Sequence, residues 1–301
     1  MTSEAEFIEA LRTLPMHPAA RGLTDDSAVL VDGRVLTTDM IIEGVHFLSD
    51  DSPADVAWKL LGVNLSDLAA KGAKPEGVLI GYTLSEDSDW NRAFVEGLGE
   101  ALRHYSVPLL GGDTVSAPPG APRSLSLTAL GKSVRAPTRD GAQAGNALWV
   151  TGTLGDAGAG LAIARGGTGP AALVERYRRP MPRVAEGQAL ARQVHAMMDV
   201  SDGLLIDAAR MAKASGVAVT IDLATIPLSP ELIAFAGEDR EVRIAAVTAG
   251  DDYELLFALP DGSMPAVPAT RVGMFSAGEG ITLIDGEEEV DMPETLGFEH
   301  S

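Results

Sequence analysis

The feature that most constrains this chain is a set of aspartates that lie beside Gly, Ser or Thr at the ends of short apolar runs. Apolar runs of about 4–8 residues read as buried strands. Asp with small neighbours is turn chemistry. Such a chain folds with carboxylates gathered at strand ends. Asp25-Asp26 precedes the run at 27–31, and Thr37-Thr38-Asp39 closes the next one. Gly111-Gly112-Asp113-Thr114 follows Leu110. Asp199 and Asp202 flank Ser201 ahead of a helical pattern, and Asp251-Asp252 follows Gly250.

Between these points the patterns alternate. Residues 27–31 and 35–38 predict two strands around an Asp32-Gly33 hairpin turn. Ser52-Pro53 predicts an N-cap followed by Pro at the first helical position, with the helix running to Lys71 and stopping at Gly72. A strand is expected at 77–84. Trp90, Phe94, Leu98, Leu102 and Tyr105 mark one helix face. Further strands are expected at 107–110 and 124–130. Residues 135–146 are polar and Gly-rich, and they suggest a boundary between domains 1–135 and 136–301. The second half restarts with a strand at 147–150 and a helix at 157–164. A helix over 183–196 and another ending at Ser215, capped by Gly216, come next. Strands are expected at 217–223 and 253–259, and only weak ones after Asp261. At 5% the aromatics are scarce, and 46% of the residues are hydrophobic. Ala, Val, Leu and Ile must fill the interior, which suits an α/β protein.

The usual phosphate-binding motifs fail. Gly131-Lys132-Ser133 resembles a P-loop tail, but Ser126 stands where the pattern needs Gly, and no helix follows. Gly155, Gly158 and Gly160 fit a tight turn and helix start better than a dinucleotide loop. Asp199-Val200-Ser201-Asp202-Gly203 carries its Gly one place too early for an EF-hand. The dispersed aspartates remain. Mg²⁺ takes oxygen ligands, keeps several waters, and is held by one or two carboxylates plus substrate phosphates. Single Asp residues at strand ends match that need. Taken alone, each is equally a turn or cap residue. Asp67 is different. It lies in the apolar stretch 60–73, on the helix face shared by Asn64 and Lys71. An unpaired buried carboxylate is costly, so a metal or Lys71 must compensate it.

The formal net charge is −20, so the basic footprint of a nucleic-acid-binding protein is missing. There is no Cys, which excludes disulfides, thiolate metal sites and thiol nucleophiles. No apolar stretch approaches the ~18–20 residues of a membrane span. Residues 1–14 read as an amphipathic helix rather than a signal peptide. The cytoplasm is the expected location, with no membrane partner.

The ordered segments closely resemble the thiamine-monophosphate kinase family of the aminoimidazole ribonucleotide synthetase-like superfamily. They are Asp25-Asp26-Ser27-Ala28, Thr37-Thr38-Asp39 with Gly44-Val45-His46-Phe47, Asn64-Leu65-Ser66-Asp67-Leu68-Ala69-Ala70, Gly111-Gly112-Asp113-Thr114, Val150-Thr151-Gly152-Thr153-Leu154-Gly155-Asp156, Asp199-Val200-Ser201-Asp202-Gly203-Leu204 and Gly250-Asp251-Asp252-Tyr253-Glu254-Leu255. The resemblance implies a two-domain α/β fold of α+β type. The N-terminal domain would contribute to a β-barrel across a homodimer, beside a C-terminal α/β domain. It implies transfer of the ATP γ-phosphoryl group to thiamine monophosphate, directly in line, with no catalytic side chain beyond the metal ligands. By motif, Asp26, Thr37, Thr38, Asp39, Asp67, Asp113, Asp199 and Asp202 would bind several Mg²⁺ ions. Gly112, Asp113, Arg139 and Ser201 would contact ATP, and His46, Asp251 and Phe298 the acceptor. Three departures from the family pattern stand out: Thr24 after Gly22-Leu23, Asp251 in place of Glu, and Phe298 in place of Tyr. Two alternatives stay open: a purine-precursor synthetase of the same superfamily, and a non-catalytic acidic metal-binding protein.

Overall fold

The computed structural model describes residues 4–299, so residues 1–3 of the expected N-terminal helix lie outside it. The first half comprises α1 (Glu4–Leu11), β1 (Ala28–Val29), β2 (Arg34–Ile42), α2 (Pro53–Ala70), β3 (Lys74–Leu84), α3 (Ser88–Tyr105), β4 (Leu109–Ser116) and β5 (Ser124–Lys132). Its strands form one sheet in the order β1-β2-β5-β3-β4. The expected hairpin is present, with Ala28 opposite Leu36. The caps are as expected too. Ser52 accepts the Asp55 amide to open α2, and Asp87 accepts the amides of Asp89 and Trp90 to open α3.

Alternation along β2 and β5 decides which way each side chain faces. Val35, Ile41, Leu125, Leu127 and Ala129 are buried with apolar side chains of α2 and α3. On the opposite face Met40 and Leu79 are exposed, and so are Leu109, Leu110 and Val115 on the edge strand β4. β4 is longer than expected. Gly111-Gly112-Asp113-Thr114 does not turn after the strand but continues it, paired parallel with Leu79 to Tyr82 of β3.

The second half comprises β6 (Asn146–Val150), α4 (Asp156–Ala164), α5 (Ala171–Arg178), α6 (Val184–Leu190), β7 (Ala196–Asp199), α7 (Leu204–Ser215), β8 (Ala218–Asp222), α8 (Pro230–Ala236), α9 (Arg240–Thr248), β9 (Leu255–Pro260), β10 (Thr270–Ser276), β11 (Ile281–Asp285) and β12 (Glu288–Val290). Its sheet runs β12-β11-β8-β10-β6-β9-β7. The helix expected over 183–196 stops at Leu190. Residues 196–199 instead form the fully buried strand β7, antiparallel to β9. This fold is mixed α/β, as expected.

Helix α2 positions the site. It packs against β2 and β5 of the first sheet, and against α6 and β7 of the second half. Fourteen of its residues are buried, including Lys59, Asn64 and Ser66. A helix this deeply buried offers polar side chains only where partners meet them.

Candidate active site

The three polar residues on one face of α2 reach two separate aspartate motifs, Thr37-Thr38-Asp39 and Asp25-Asp26. Asn64 Oδ1 accepts the Asp39 amide at 3.0 Å, and its Nδ2 donates to the Leu60 carbonyl at 3.0 Å. Thr37 donates its hydroxyl to Asp67 in a short contact. Lys71, wholly buried, donates to Asp25 in a short contact and lies 2.7 Å from Asp26 Oδ2. It also reaches the Met197 carbonyl at 3.2 Å. Ser66, one residue from Asp67, donates to Asp199 Oδ2 at 2.5 Å. One helix therefore gathers carboxylates from both sheets.

Two kinds of carboxylate result. Arg21 meets Asp25 at 2.5 Å and also caps the carbonyls of Ala136 and Pro137. Arg139 pairs with Asp26. Burial alone would push the Asp26 carboxyl up, but Lys71 and Arg139 overcome it and hold Asp26 well below the usual range. Asp39, Asp67 and Asp199 have no Lys or Arg within ion-pair distance among the described residues. Burial and the charges of Asp26 and Asp202 push Asp39 up to about 6. Burial, then Asp26, pushes Asp199 up to about 8. Burial with Asp39, Asp199 and Asp26 pushes Asp67 up well above its ordinary value. Asn64 holds the Asp39 amide, Thr37 bonds Asp67, and Ser66 beside Asp67 bonds Asp199, so the three carboxylates lie around one stretch of α2. Lys71 does not compensate Asp67, because its ammonium is committed to Asp25 and Asp26.

The 199–203 loop is shaped by a residue that the sequence reading missed. Asp207 is fully buried on α7 and accepts the amides of Ser201 and Asp202 at 3.1 and 3.2 Å. Arg210 bonds it at 2.9 Å and also meets Asp202 in a short contact. Burial and the Asp202 charge push Asp207 up to about 7. A charged residue inside the apolar run 204–208 was the available signal. Gly203 holds φ 126°, a region that favours glycine. A Cβ at Gly250 would lie 2.7 Å from the Ser201 carbonyl oxygen, so Gly250 lets the two loops touch. The Phe298 amide donates to the Asp202 carbonyl at 2.9 Å, which seats the C-terminal segment on this loop.

His46 and Asp251 meet through a second unforeseen residue. Lys59 Nζ bonds the His46 carbonyl at 2.8 Å and Asp251 Oδ2 at 2.7 Å. Two expected metal ligands stand apart. The Thr38 side chain is exposed on the opposite sheet face and bonds the Thr128 hydroxyl at 2.8 Å. Asp113 and Gly112 are exposed on edge strand β4.

Comparison with known proteins gives this arrangement its context. Residues 24–133 match the AIR synthase related protein N-terminal domain, and residues 143–295 match the corresponding C-terminal domain. Thiamine-monophosphate kinase of Escherichia coli K12 is 37% identical, with 93% of this chain and 91% of that protein covered. The Caulobacter vibrioides thiamine-monophosphate kinase is 39% identical over 94% of this chain and 86% of its own. The chain belongs to the thiamine-monophosphate kinase family. A solved structure of AaThiL complexed with AMPPCP and TMP superposes on this family member with TM-score 0.89 and 32% identity. That match covers 99% of this chain and 97% of the other.

Whether divalent ions suit the cleft is a question about its donors. Asp39, Asp67 and Asp199 are hard oxygen donors, and they repel one another without protein cations to relieve them. Among the described residues no three His, Asp or Glu side chains close into a ready-made cage. Mg²⁺ needs no such cage, since waters and substrate phosphates complete its shell. The residues present therefore fit Mg²⁺.

Proposed function

We propose that this chain is a thiamine-monophosphate kinase that uses ATP and Mg²⁺ to make thiamine diphosphate and ADP. The observation that carries the reading is the group of carboxylates Asp39, Asp67 and Asp199, drawn together around helix α2 by Asn64, Thr37 and Ser66 with no protein cation, beside cation-compensated Asp26. The family's named activity and the nucleotide-analogue complex of a relative support the same substrates.

Asp26, Asp39, Asp67, Asp199 and Asp202 would hold the ions, with Thr37 orienting Asp67 and Ser66 orienting Asp199. Thr38 would contribute through its backbone, since its hydroxyl faces away. When bound, the ions screen the repulsion between two phosphate groups and neutralise charge on the transferred phosphoryl. The acceptor oxygen is already anionic near neutral pH, so no strong general base is required. Arg139 would turn its fixed charge toward the nucleotide beside Ser201. His46, Asp251 and Phe298 would line the acceptor's end of the cleft.

We divide the chain into domains at 1–135 and 136–301, with the cleft between them. A homodimer is part of the reading. The exposed apolar side chains Met40, Leu79, Leu109 and Val115 fit the sheet of a second copy, because apolar patches beside an open edge strand are a liability when uncovered. In such a dimer Gly112 and Asp113 would lie at the interface, within reach of a nucleotide. No helix among the described residues is long and apolar enough to cross a membrane, which accords with the cytoplasmic location we propose.

The test is to incubate the protein with ATP, Mg²⁺ and either thiamine monophosphate or formylglycinamidine ribonucleotide, and to follow ADP. ADP and thiamine diphosphate with the first acceptor support the assignment. ADP with only the second rejects it. Metal binding without either product favours a non-catalytic role.

A further inference from the structure

Lys59 is a lysine that ordinary burial rules would exclude from the interior. It is 2% exposed, on α2, inside the apolar run Ala57-Trp58-Lys59-Leu60-Leu61. Three partners surround its ammonium. Nζ bonds the His46 carbonyl at 2.8 Å and Asp251 Oδ2 at 2.7 Å. It also sits 4.2 Å from the centre of the Tyr177 ring, within cation–π range.

Its partners are pinned in turn. Asp251 Oδ1 accepts the Tyr253 hydroxyl at 3.0 Å, so both carboxylate oxygens of Asp251 are engaged by protein. Asp251 and Tyr253 hold φ of 70° and 52°, a costly region for residues with side chains. Their amides donate to Ser201 and Val200 at 2.8 Å. On the other side, Asp51 accepts the Leu48 amide, the Tyr177 hydroxyl and Arg178 at 2.8–2.9 Å. The loop that carries His46 is thus fixed to α5, directly behind Lys59.

We infer that Lys59 is a positioning residue that latches the His46 loop to the Asp251 loop and so sets the width of the acceptor end of the cleft. This rests on the kinase reading for its substrate, not for its geometry. Lys59 does not touch the acceptor phosphate, because its ammonium is enclosed by these partners. Asp251, one methylene shorter than the family's Glu, serves as the far anchor of the latch. The two loops it joins are those placed at the acceptor's end of the cleft, so the latch is expected to act on the acceptor rather than on ATP.

Two measurements test it. The first is amide hydrogen exchange in Lys59→Met, without any substrate. The latch predicts faster exchange at 42–48 and 250–253, with the rest of α2 unchanged. Unchanged exchange in both loops overturns the latch whatever the enzyme's substrate. Asp251→Asn supplies the same measurement from the other partner, should Lys59→Met fail to fold. The second is steady-state kinetics. Lys59→Met is expected to raise KM for thiamine monophosphate by roughly 10–100-fold, with KM for ATP within about twofold. In the double variant Lys59→Met/Asp251→Asn the rise in acceptor KM is expected to fall well short of the product of the two single-variant rises, since both changes break one contact. Multiplying effects would mean that Lys59 binds the acceptor itself, and equal rises in both KM values would mean a general loss of structure. Either result overturns the inference. A wild-type protein inactive on thiamine monophosphate would reject the kinase reading, while the exchange result still decides the latch.

Discussion

Two corners of the same cleft treat buried carboxylates in opposite ways. At one, Asp25 and Asp26 are met by Lys71, Arg21 and Arg139, and Asp26 stays ionised far below its ordinary range. At the other, Asp67 and Asp199 receive only the neutral hydroxyls of Thr37 and Ser66, Asp39 is held by its amide on Asn64, and all three carboxyls are pushed up. Burial is similar in both places, so it does not separate them. The difference is whether the chain supplies its own cations. A fold that builds ion pairs at one corner and omits them a few residues away has left the second corner to cations from solution.

The sharpest way to break this comparison is Asp67→Asn. Turnover is expected to fall by roughly a hundredfold or more, because a ligand to the ions is lost. The metal-free protein is expected to gain thermal stability, since a repelling charge is gone. Retained turnover in a kinase assay would contradict the metal role. Lys71→Met breaks the compensated corner instead. It leaves Asp25 with Arg21 alone and Asp26 with Arg139 alone, and is expected to cost about 3–5 kcal/mol in denaturant unfolding. A neutral result would mean that Arg21 and Arg139 suffice.

The two corners also respond differently to pH. Asp39 and Asp199 bind protons more tightly in the folded protein than in the unfolded chain. Their contribution to stability is complete below about pH 4, and it is lost as pH rises through about 6 and then about 8. Asp26 runs the other way, and its contribution disappears only in strong acid. Melting in EDTA is therefore expected to weaken between pH 5 and pH 8, and Mg²⁺ is expected to raise the melting temperature more at pH 8 than at pH 5. Equal Mg²⁺ effects at both values would contradict the uncompensated corner. The smallest change is Ser66→Ala. It removes one hydrogen bond to the Asp199 carboxylate, at about 1–2 kcal/mol, and shifts the onset of Mg²⁺ stabilisation to higher pH.

Much of this was legible because helical periodicity is local. Asn64, Asp67 and Lys71 fall on one face of α2 as their spacing requires, and the helix begins and ends where Ser52 and Gly72 place it. What each of them touches was not legible. Lys71 is four residues from Asp67, yet it serves Asp25 and Asp26, which are more than forty residues away. Strand β7 was hidden because its four residues gain strand structure only from β9, far along the chain. Gly111-Gly112 reads as a turn, and pairing with β3 overrides that local preference. Lys59 and Asp207 carried a signal that went unused. Each is a charge inside an apolar run, as Asp67 is, and each proves to hold a loop in place.

The most direct test is anomalous diffraction from crystals grown with Mn²⁺, a non-hydrolysable ATP analogue and thiamine monophosphate. The account predicts Mn²⁺ peaks bound by Asp39, Asp67 and Asp199, bridging toward the phosphates, with Lys71 still seated between Asp25 and Asp26. Phosphates bound with no peak at those three carboxylates would contradict it.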